Sequence, residues 1–282
     1  MTRLIHQSYG KHNVCVSKIK RDPANPGHHT LVEAEVCAEL EGGFDSAYTE
    51  ADNRSVIATD SIRNTVYAIA KDDPWETIEG FGLALGQHFL RQYEHVDQAT
   101  ITLREHLWHR LNGHNHAFTG SDRETPTATI VVKRGTAASV TSGVDDLMLA
   151  KTTQSGFSDF VEDEYRTLPD TDDRILATVL KAEWEYVDSS ASSIPFAEHR
   201  GAIRAALLGT FTDHYSVSVQ QTLYLMGAAA LESCPAIEQI TLTMPNKHHI
   251  RFNLEPLGRA NENEVFVVTD KPSGFIHATV GR

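Results

Sequence analysis

Three short segments carry side chains that can move protons or hold a polar ligand. Tyr9-Gly10-Lys11-His12-Asn13-Val14 brings an amine and an imidazole together at the start of a strand-like run. Val56-Ile57-Ala58-Thr59-Asp60-Ser61-Ile62-Arg63-Asn64 places a hydroxyl and a carboxylate where an extended run turns into a helix. Met244-Pro245-Asn246-Lys247-His248-His249 puts an amide, an amine and two imidazoles on a strand interrupted by proline. Amines, hydroxyls and imidazoles are the usual groups of general acid–base and relay chemistry. Taken one at a time, each also has an ordinary role: a solvated lysine, a helix cap at Thr59-Asp60, a surface or core histidine.

Two further patterns invite chemistry and are set aside. His106, His109, His114 and His116 are dense enough in nitrogen to suggest zinc. Yet Glu105-His106-Leu107-Trp108-His109 has its carboxylate on the wrong side for an HExxH site, so no metal is expected and the cluster is left unassigned. Gly80-Phe81-Gly82-Leu83-Ala84-Leu85-Gly86 resembles a dinucleotide turn, but no hydrophobic strand precedes it and its glycines fall inside a helical stretch. Small residues allowing close helix packing explain it better.

The elements that must position these groups come in two similar sets. Val96–Leu103 matches Ile237–Met244, 141 residues apart, which is half of 282, and Ile62-Arg63 matches Ile203-Arg204 in the same phase. Val32, Ala34, Val36, Ala38 and Leu40 alternate with Glu33, Glu35, Cys37 and Glu39, the pattern of a strand with one buried face. Leu176, Leu180, Ala182, Trp184 and Tyr186 alternate with Ala177, Lys181, Glu183 and Glu185 in the second half. Such alternation favours antiparallel pairing.

Helices are expected from a Thr59 or Asp60 cap through Ala70, from Pro74 to Tyr93, at Phe196–Phe211, and at Val219–Glu232 with Ser218 and Gln221 in capping-box spacing. Further strands are expected at Ala99–Trp108, Thr127–Lys133, Ile240–Leu254 and Val265–Thr269, and loops at Phe118–Thr125 and Val187–Pro195. The reading is an α+β chain of two domains, residues 1–140 and 141–282, divided near Gly135–Gly143, each with helices on one face of an antiparallel sheet. At the repeat offset, Asn246, Lys247 and His248 align with Glu105, His106 and Leu107, so the scaffold recurs while the polar residues do not. A site specialised in one half fits that asymmetry.

Composition narrows the function. Hydrophobic residues are 40%, enough for a packed core. With 25 Lys plus Arg against 38 Asp plus Glu, the formal charge of −13 repels a nucleic-acid backbone. No apolar run approaches the roughly 20 residues that span a bilayer, and no apolar signal segment opens the chain. Cys15, Cys37 and Cys234 form no CxxC pair and read as free thiols of a reducing compartment. Secretion is not expected.

In its motifs the sequence resembles the urate oxidase (uricase) family, in its bacterial form. The resemblance rests on Tyr-Gly-Lys-x-Asn-Val at residue 9, Ala-Thr-Asp-Ser-Ile-x-Asn-Thr at residue 58 and Pro-Asn-Lys-His at residue 245. It rests also on Gln154-Ser155-Gly156-Phe157 followed by Asp163-Glu164-Tyr165-Arg166-Thr167-Leu168 and Asp173-Arg174-Ile175-Leu176, and on Ser216–Tyr224. These run in order along nearly the whole chain. Many eukaryotic members carry a C-terminal Ser-Lys-Leu peroxisomal signal, whereas this sequence ends Val280-Gly281-Arg282, so a bacterial-type cytoplasmic enzyme is the expectation.

The resemblance implies tandem tunnelling-fold domains whose sheets close into a barrel on oligomerisation, and a homotetramer with sites shared between subunits. It implies oxidation of urate by dioxygen and water to 5-hydroxyisourate and hydrogen peroxide, with no metal or organic cofactor and no nucleic-acid or membrane partner. It implies a catalytic set of Lys11, Thr59 and His248. Substrate contacts would come from Arg174 as guanidinium clamp, Gln220 as amide, Phe157 as stacking ring, and the backbone N–H groups of Val219 and Asp60. Thr59 and Asn246 would hold oxygen and then water, and His12, the neighbour of Lys11, is a further candidate participant. The residue types suit a flat purine anion: a planar fork for two acceptors, a ring for its face, and helix starts for negative charge. A lysine acts as base near neutral pH where burial or a nearby cation lowers the ordinary ammonium pKa of about 10.4. Two rival readings are a zinc-dependent pterin enzyme of the same fold using the histidine cluster, and a purine-binding oligomer without catalysis.

Overall fold

The computed structural model describes residues 2–187 and 194–282. The expected loop Val187–Pro195 includes 188–193, which lie outside the described residues. Two compact units are present: residues up to Gly143 with the described part of Glu185–Glu198, and Val144–Trp184 with His199–Arg282. No described helix is long and apolar enough to cross a membrane.

In the first unit β1 (Tyr9–Asp22) and β2 (Asn25–Gly42) form a long antiparallel hairpin. Then come the short α1 (Asp45–Thr49), α2 (Thr59–Asp72), α3 (Ile78–Gln92) and β3 (Val96–Glu105). β4 (Leu107–Arg110) and β5 (Phe118–Ser121) pair with each other, and β6 (Thr125–Lys133) lies beside β3. The sheet runs β1-β2-β3-β6, antiparallel throughout. The alternation in β2 works as expected: Ala34, Val36, Ala38 and Leu40 are buried, with Glu35, Cys37 and Glu39 between them. Ile62 and Val66 of α2 and Phe81, Leu85 and Phe89 of α3 join them in one core, which places the helices on one sheet face.

β7 (Ser139–Lys151) and β8 (Leu176–Tyr186) lead into the second unit, followed by α4 (Phe196–Asp213) and α5 (Val219–Ser233). β9 (Ile237–Thr243), β10 (Asn246–Arg251), β11 (Phe266–Gly274) and β12 (His277–Gly281) complete it. There β8 meets β9 and β10, β10 pairs with β11, and β9 with β12.

Several sequence expectations are corrected. α2 begins at Thr59 with Ala58 as its N-cap and no side-chain capping bond, so neither Thr59 nor Asp60 caps it. α3 begins at Ile78, not Pro74, because the Thr77 hydroxyl accepts the Gly80 N–H at 3.1 Å. Trp75 stays outside the helix and stacks on Phe81, ring centroids 4.3 Å apart. The stretch Phe118–Thr125 is not a loop: β5 pairs with β4 there, and the Arg110 guanidinium, 5.0 Å from the Phe118 ring, also donates to the His114 and Asn115 carbonyls that close the hairpin. Ala99–Trp108 is two strands, since β3 ends at Glu105 and β4 pairs elsewhere. Ile240–Leu254 splits at Met244-Pro245, where proline has no N–H to give a ladder. Ala177, read as outward, is buried.

The repeat is visible in atomic detail. Arg134 donates to the carbonyls of Leu90 and Val96, joining the end of α3 to the start of β3. Arg282 does the same at the end of α5 and the start of β9, for Leu231 and Ile237, the residues 141 places after Leu90 and Val96. Thr77 and Ser218 are likewise matching N-caps, Ser218 accepting the Gln221 N–H at 3.1 Å. Gly86 and Gly227 are a third pair. A Cβ on Gly86 would lie 2.6 Å from Val132 Cγ2, and one on Gly227 would lie 2.7 Å from Val280 Cγ2. The glycines thus serve close packing of helix on strand. Because valine is stiff about χ1, the strand cannot easily yield. Gly86→Ala and Gly227→Ala are each expected to cost about 1–3 kcal/mol, read by denaturant unfolding. A parent-like midpoint in both would show that the helices simply ride outward.

Candidate active site

A cleft of about 720 Å³ in the second unit gathers six of the nine residues singled out above: Phe157, Arg174, Val219, Gln220, Asn246 and His248. They come from four separate stretches of chain. The irregular segment carrying Phe157 is fixed on two sides. The Gly156 N–H donates to Ser216 O at 2.8 Å and the Ser216 N–H to Gln154 O at 2.9 Å, while Phe157 and Thr171 exchange backbone bonds of 2.7 and 3.0 Å. The Arg174 N–H donates to Ser155 O at 2.8 Å, which brings its guanidinium carbon 5.3 Å from the Phe157 ring centroid. Burial pulls the Arg174 pKa down, opposed by Tyr215, but a guanidinium keeps its charge at neutral pH. Its Nε is buried with no hydrogen-bond partner. A half-buried cation with an unused donor at a cleft is a site for an anion or a carbonyl edge.

The start of α5 supplies the next wall. Ser218 caps the Gln221 N–H, and the Ser218 carbonyl takes the Thr222 N–H at 3.2 Å. The N–H groups of Val219 and Gln220 at the first two helical positions therefore have no intrahelical acceptor, and the helix dipole favours negative charge beside them. Behind this turn Ser216 and Thr222, both fully buried, share a hydroxyl contact of 2.6 Å, and His214 Nε2 lies 3.1 Å from the Thr222 hydroxyl. That network fixes the α5 start from below.

The opposite wall is β10. Asn246, buried, stands opposite Thr178 of β8 and Gly274 of β11, whereas His248 stands opposite Thr269. Two steps on β10 thus correspond to five on β11, so β11 bulges over residues 270–273. Bulges re-aim side chains at the point where they occur. Arg251 and Asn263 also line the cleft. Sequence reading missed them, because neither belongs to a motif and only the β10–β11 pairing brings their stretches to the cleft.

Lys11, Thr59 and Asp60 belong to the first unit. Lys11 stands opposite Ala38, and the next two residues form a bulge, with Asn13 at φ +55°. A Cβ on Gly10 would collide with the Ala38 carbonyl, so β1 and β2 approach closely just before Lys11. His12 Nε2 lies 2.9 Å from Glu39. The Tyr9 hydroxyl accepts from the Ile57 N–H at 2.8 Å and donates to the Ile57 carbonyl at 3.2 Å, tying the approach to α2 onto β1. Burial raises the Tyr9 pKa, which keeps this hydroxyl neutral. Thr59 is the first residue of α2 and exposed. The Asp60 carboxylate is held by Arg63 at 2.6 Å and Asn64 at 2.9 Å, leaving the Asp60 backbone N–H at the uncapped helix start. The cleft thus holds a clamp and a ring, while the amine of Lys11 lies on β1 and the hydroxyl of Thr59 at the start of α2.

The family model for uricase matches residues 7–131 and 140–277. The chain belongs to the uricase family. A uricase of Arthrobacter globiformis is 38% identical over 274 residues, 97% of this chain and 88% of that protein. A uricase of Emericella nidulans is 39% identical over 296 residues, 100% of this chain and 98% of that one. The crystal structure of uricase from Arthrobacter globiformis superposes with a TM-score of 0.95 at 38% identity, covering 100% of this chain and 96% of that chain. This uricase-family chain therefore has the mixed α+β fold of those structures, with antiparallel sheets. Among its described residues no group of three or more His, Cys, Asp or Glu is arranged to hold a metal ion. Of the four histidines, His106 lies between β3 and β4, His109 on β4, and His114 and His116 in the β4–β5 hairpin, where their rings pack against each other.

Proposed function

We propose that this chain oxidises urate with dioxygen and water to 5-hydroxyisourate and hydrogen peroxide, using no metal or organic cofactor. The observation that carries the reading is the second-unit cleft, where Arg174, Phe157, Gln220 and the start of α5 line one cavity. Urate is a planar purine anion. The guanidinium takes two acceptors along one edge, the Gln220 amide takes the far edge, the Val219 N–H adds a donor, and the Phe157 ring covers a face. Lys11 acts through the Thr59 hydroxyl as base, with His248 completing the relay. The deprotonated purine then becomes a strong enough donor to reduce dioxygen directly. Asn246 and Thr59 hold oxygen and then water over the ring, and the Asp60 N–H contacts the substrate.

As the family resemblance implies, the site is shared between subunits, with Lys11, Thr59 and Asp60 of one chain completing the cleft of another. The assembly is a homotetramer whose sheets close into barrels, and the enzyme works in the cytoplasm. The deciding experiment is oxygen uptake with urate in chelator-treated protein, with peroxide measured alongside. Stoichiometric peroxide and unchanged rates after chelation are expected. Activity that vanishes with the chelator and returns with zinc would overturn the cofactor-free chemistry.

A further inference from the structure

We propose that Phe160 and Arg166 are positioning residues for the Phe157 ring, and through it for the face of the bound purine. The inference rests on the reading of Phe157 as the stacking ring. The Phe157 and Phe160 rings lie nearly parallel, with centroids 4.6 Å apart and planes 10° apart. Two rings at that spacing leave no room between them for a guanidinium. The Arg166 guanidinium carbon, 4.1 Å from the Phe160 centroid, therefore covers the other face of Phe160. Arg166, Phe160 and Phe157 form one column, and one face of Phe157 is occupied by protein. A flat ligand can stack only on its remaining face. The Arg174 guanidinium carbon stands 5.3 Å from the same ring centroid.

Arg166 is itself held rigidly. Its Nη1 lies 3.1 Å from Glu162, its Nη2 2.7 Å from Asp170, and its Nε donates to Leu168 O at 3.2 Å. Its side chain is only 19% exposed although the segment from Phe157 to Arg174 has no regular secondary structure. Exposed ion pairs add little stability one by one. Here the three bonds use the planar fork to tie four points of an irregular segment and press a cation onto a ring. The product of that arrangement is a fixed ring plane, which sets the angle at which the purine meets its edge contacts.

The test uses the intact protein with Phe160→Leu, Phe160→Tyr and Arg166→Gln. Two quantities are read: urate kinetics by oxygen uptake, and the dissociation constant of xanthine, a purine dione. Phe160→Leu should raise both KM and the xanthine constant on the order of three- to tenfold, as loss of an offset-stacked pair implies, with kcat moving less than KM. Phe160→Tyr should restore both values, and Arg166→Gln should move them in the same direction. Parent-like constants in Phe160→Leu and Arg166→Gln would overturn the proposal. So would a loss of melting temperature and activity in Phe160→Leu that Phe160→Tyr fails to restore. Should Phe160→Leu not fold, Arg166→Gln leaves both rings in place and decides by the same readings. A parent protein that consumes no oxygen with urate would instead sink the proposed function, while xanthine binding still decides the role of the column.

Discussion

A Lys11→Met chain is expected to bind xanthine as the parent does and to lose turnover of urate by about 10²–10⁴-fold, the range that a positioned acid–base group contributes. The asymmetry follows from where the residue stands. Lys11 lies on β1 in the first unit, whereas Arg174, Gln220, Phe157 and Val219, which grip the purine edge and face, line the second-unit cleft. Methionine keeps the length and apolar stem of lysine, so the hairpin and its bulge at His12-Asn13 survive, and only the titrating amine goes. Kinetic loss should therefore fall on kcat with little change in KM. A parent-like kcat would remove Lys11 from the proton relay and leave Thr59 and His248 without a base.

The second large effect is the converse. Arg174→Ala removes a charge-assisted fork, each bond of which is worth about 1.5–3 kcal/mol to a charged partner. KM for urate and the dissociation constant of xanthine should both rise, by about 10²- to 10⁴-fold if two bonds are lost. Folding should suffer less, because the side chain's Nε satisfies no other group and the backbone bond from Arg174 N–H to Ser155 O remains. An unaltered KM would sink the clamp. Mixing the two variants separates shared from private sites. If Lys11 of one chain serves the cleft of another, co-refolded Lys11→Met and Arg174→Ala chains regain part of the activity that neither has alone. No recovery, in a mixture shown to form hybrids, would place each complete site within one chain.

Most of the secondary structure was legible where a physical period ran undisturbed. The alternation of Ala34, Val36, Ala38 and Leu40 marked a one-faced strand, and the Ile62–Ala70 stripe marked a helix, because burial of one face demands those spacings. Errors cluster where a local signal had two meanings. Pro74 suggested a helix start, yet Thr77 offered the better cap, five residues before Gly82 packs on β3 and β6. Thr59 and Asp60 have capping chemistry, yet one begins the helix itself and the other is held by Arg63 and Asn64. Phe118–Ser121 looked like a turn because Gly120 and Ser121 say nothing of a partner strand.

The chain of amino acids by itself determined the repeat, the strand and helix faces, the family, and which residue types a purine chemistry would use. These depend on neighbours along the chain, on composition and on ordered motifs. Tertiary structure alone decided the two bulges, one after Lys11 and one opposite Asn246–His248. It alone decided that Phe157 is backed by Phe160 and Arg166, and that Arg134 and Arg282 close the same joint in both halves. A bulge is a mismatch between two strands, and a stack or a clamp is a distance between residues far apart in order. Neither exists until pairing and packing choose the partner.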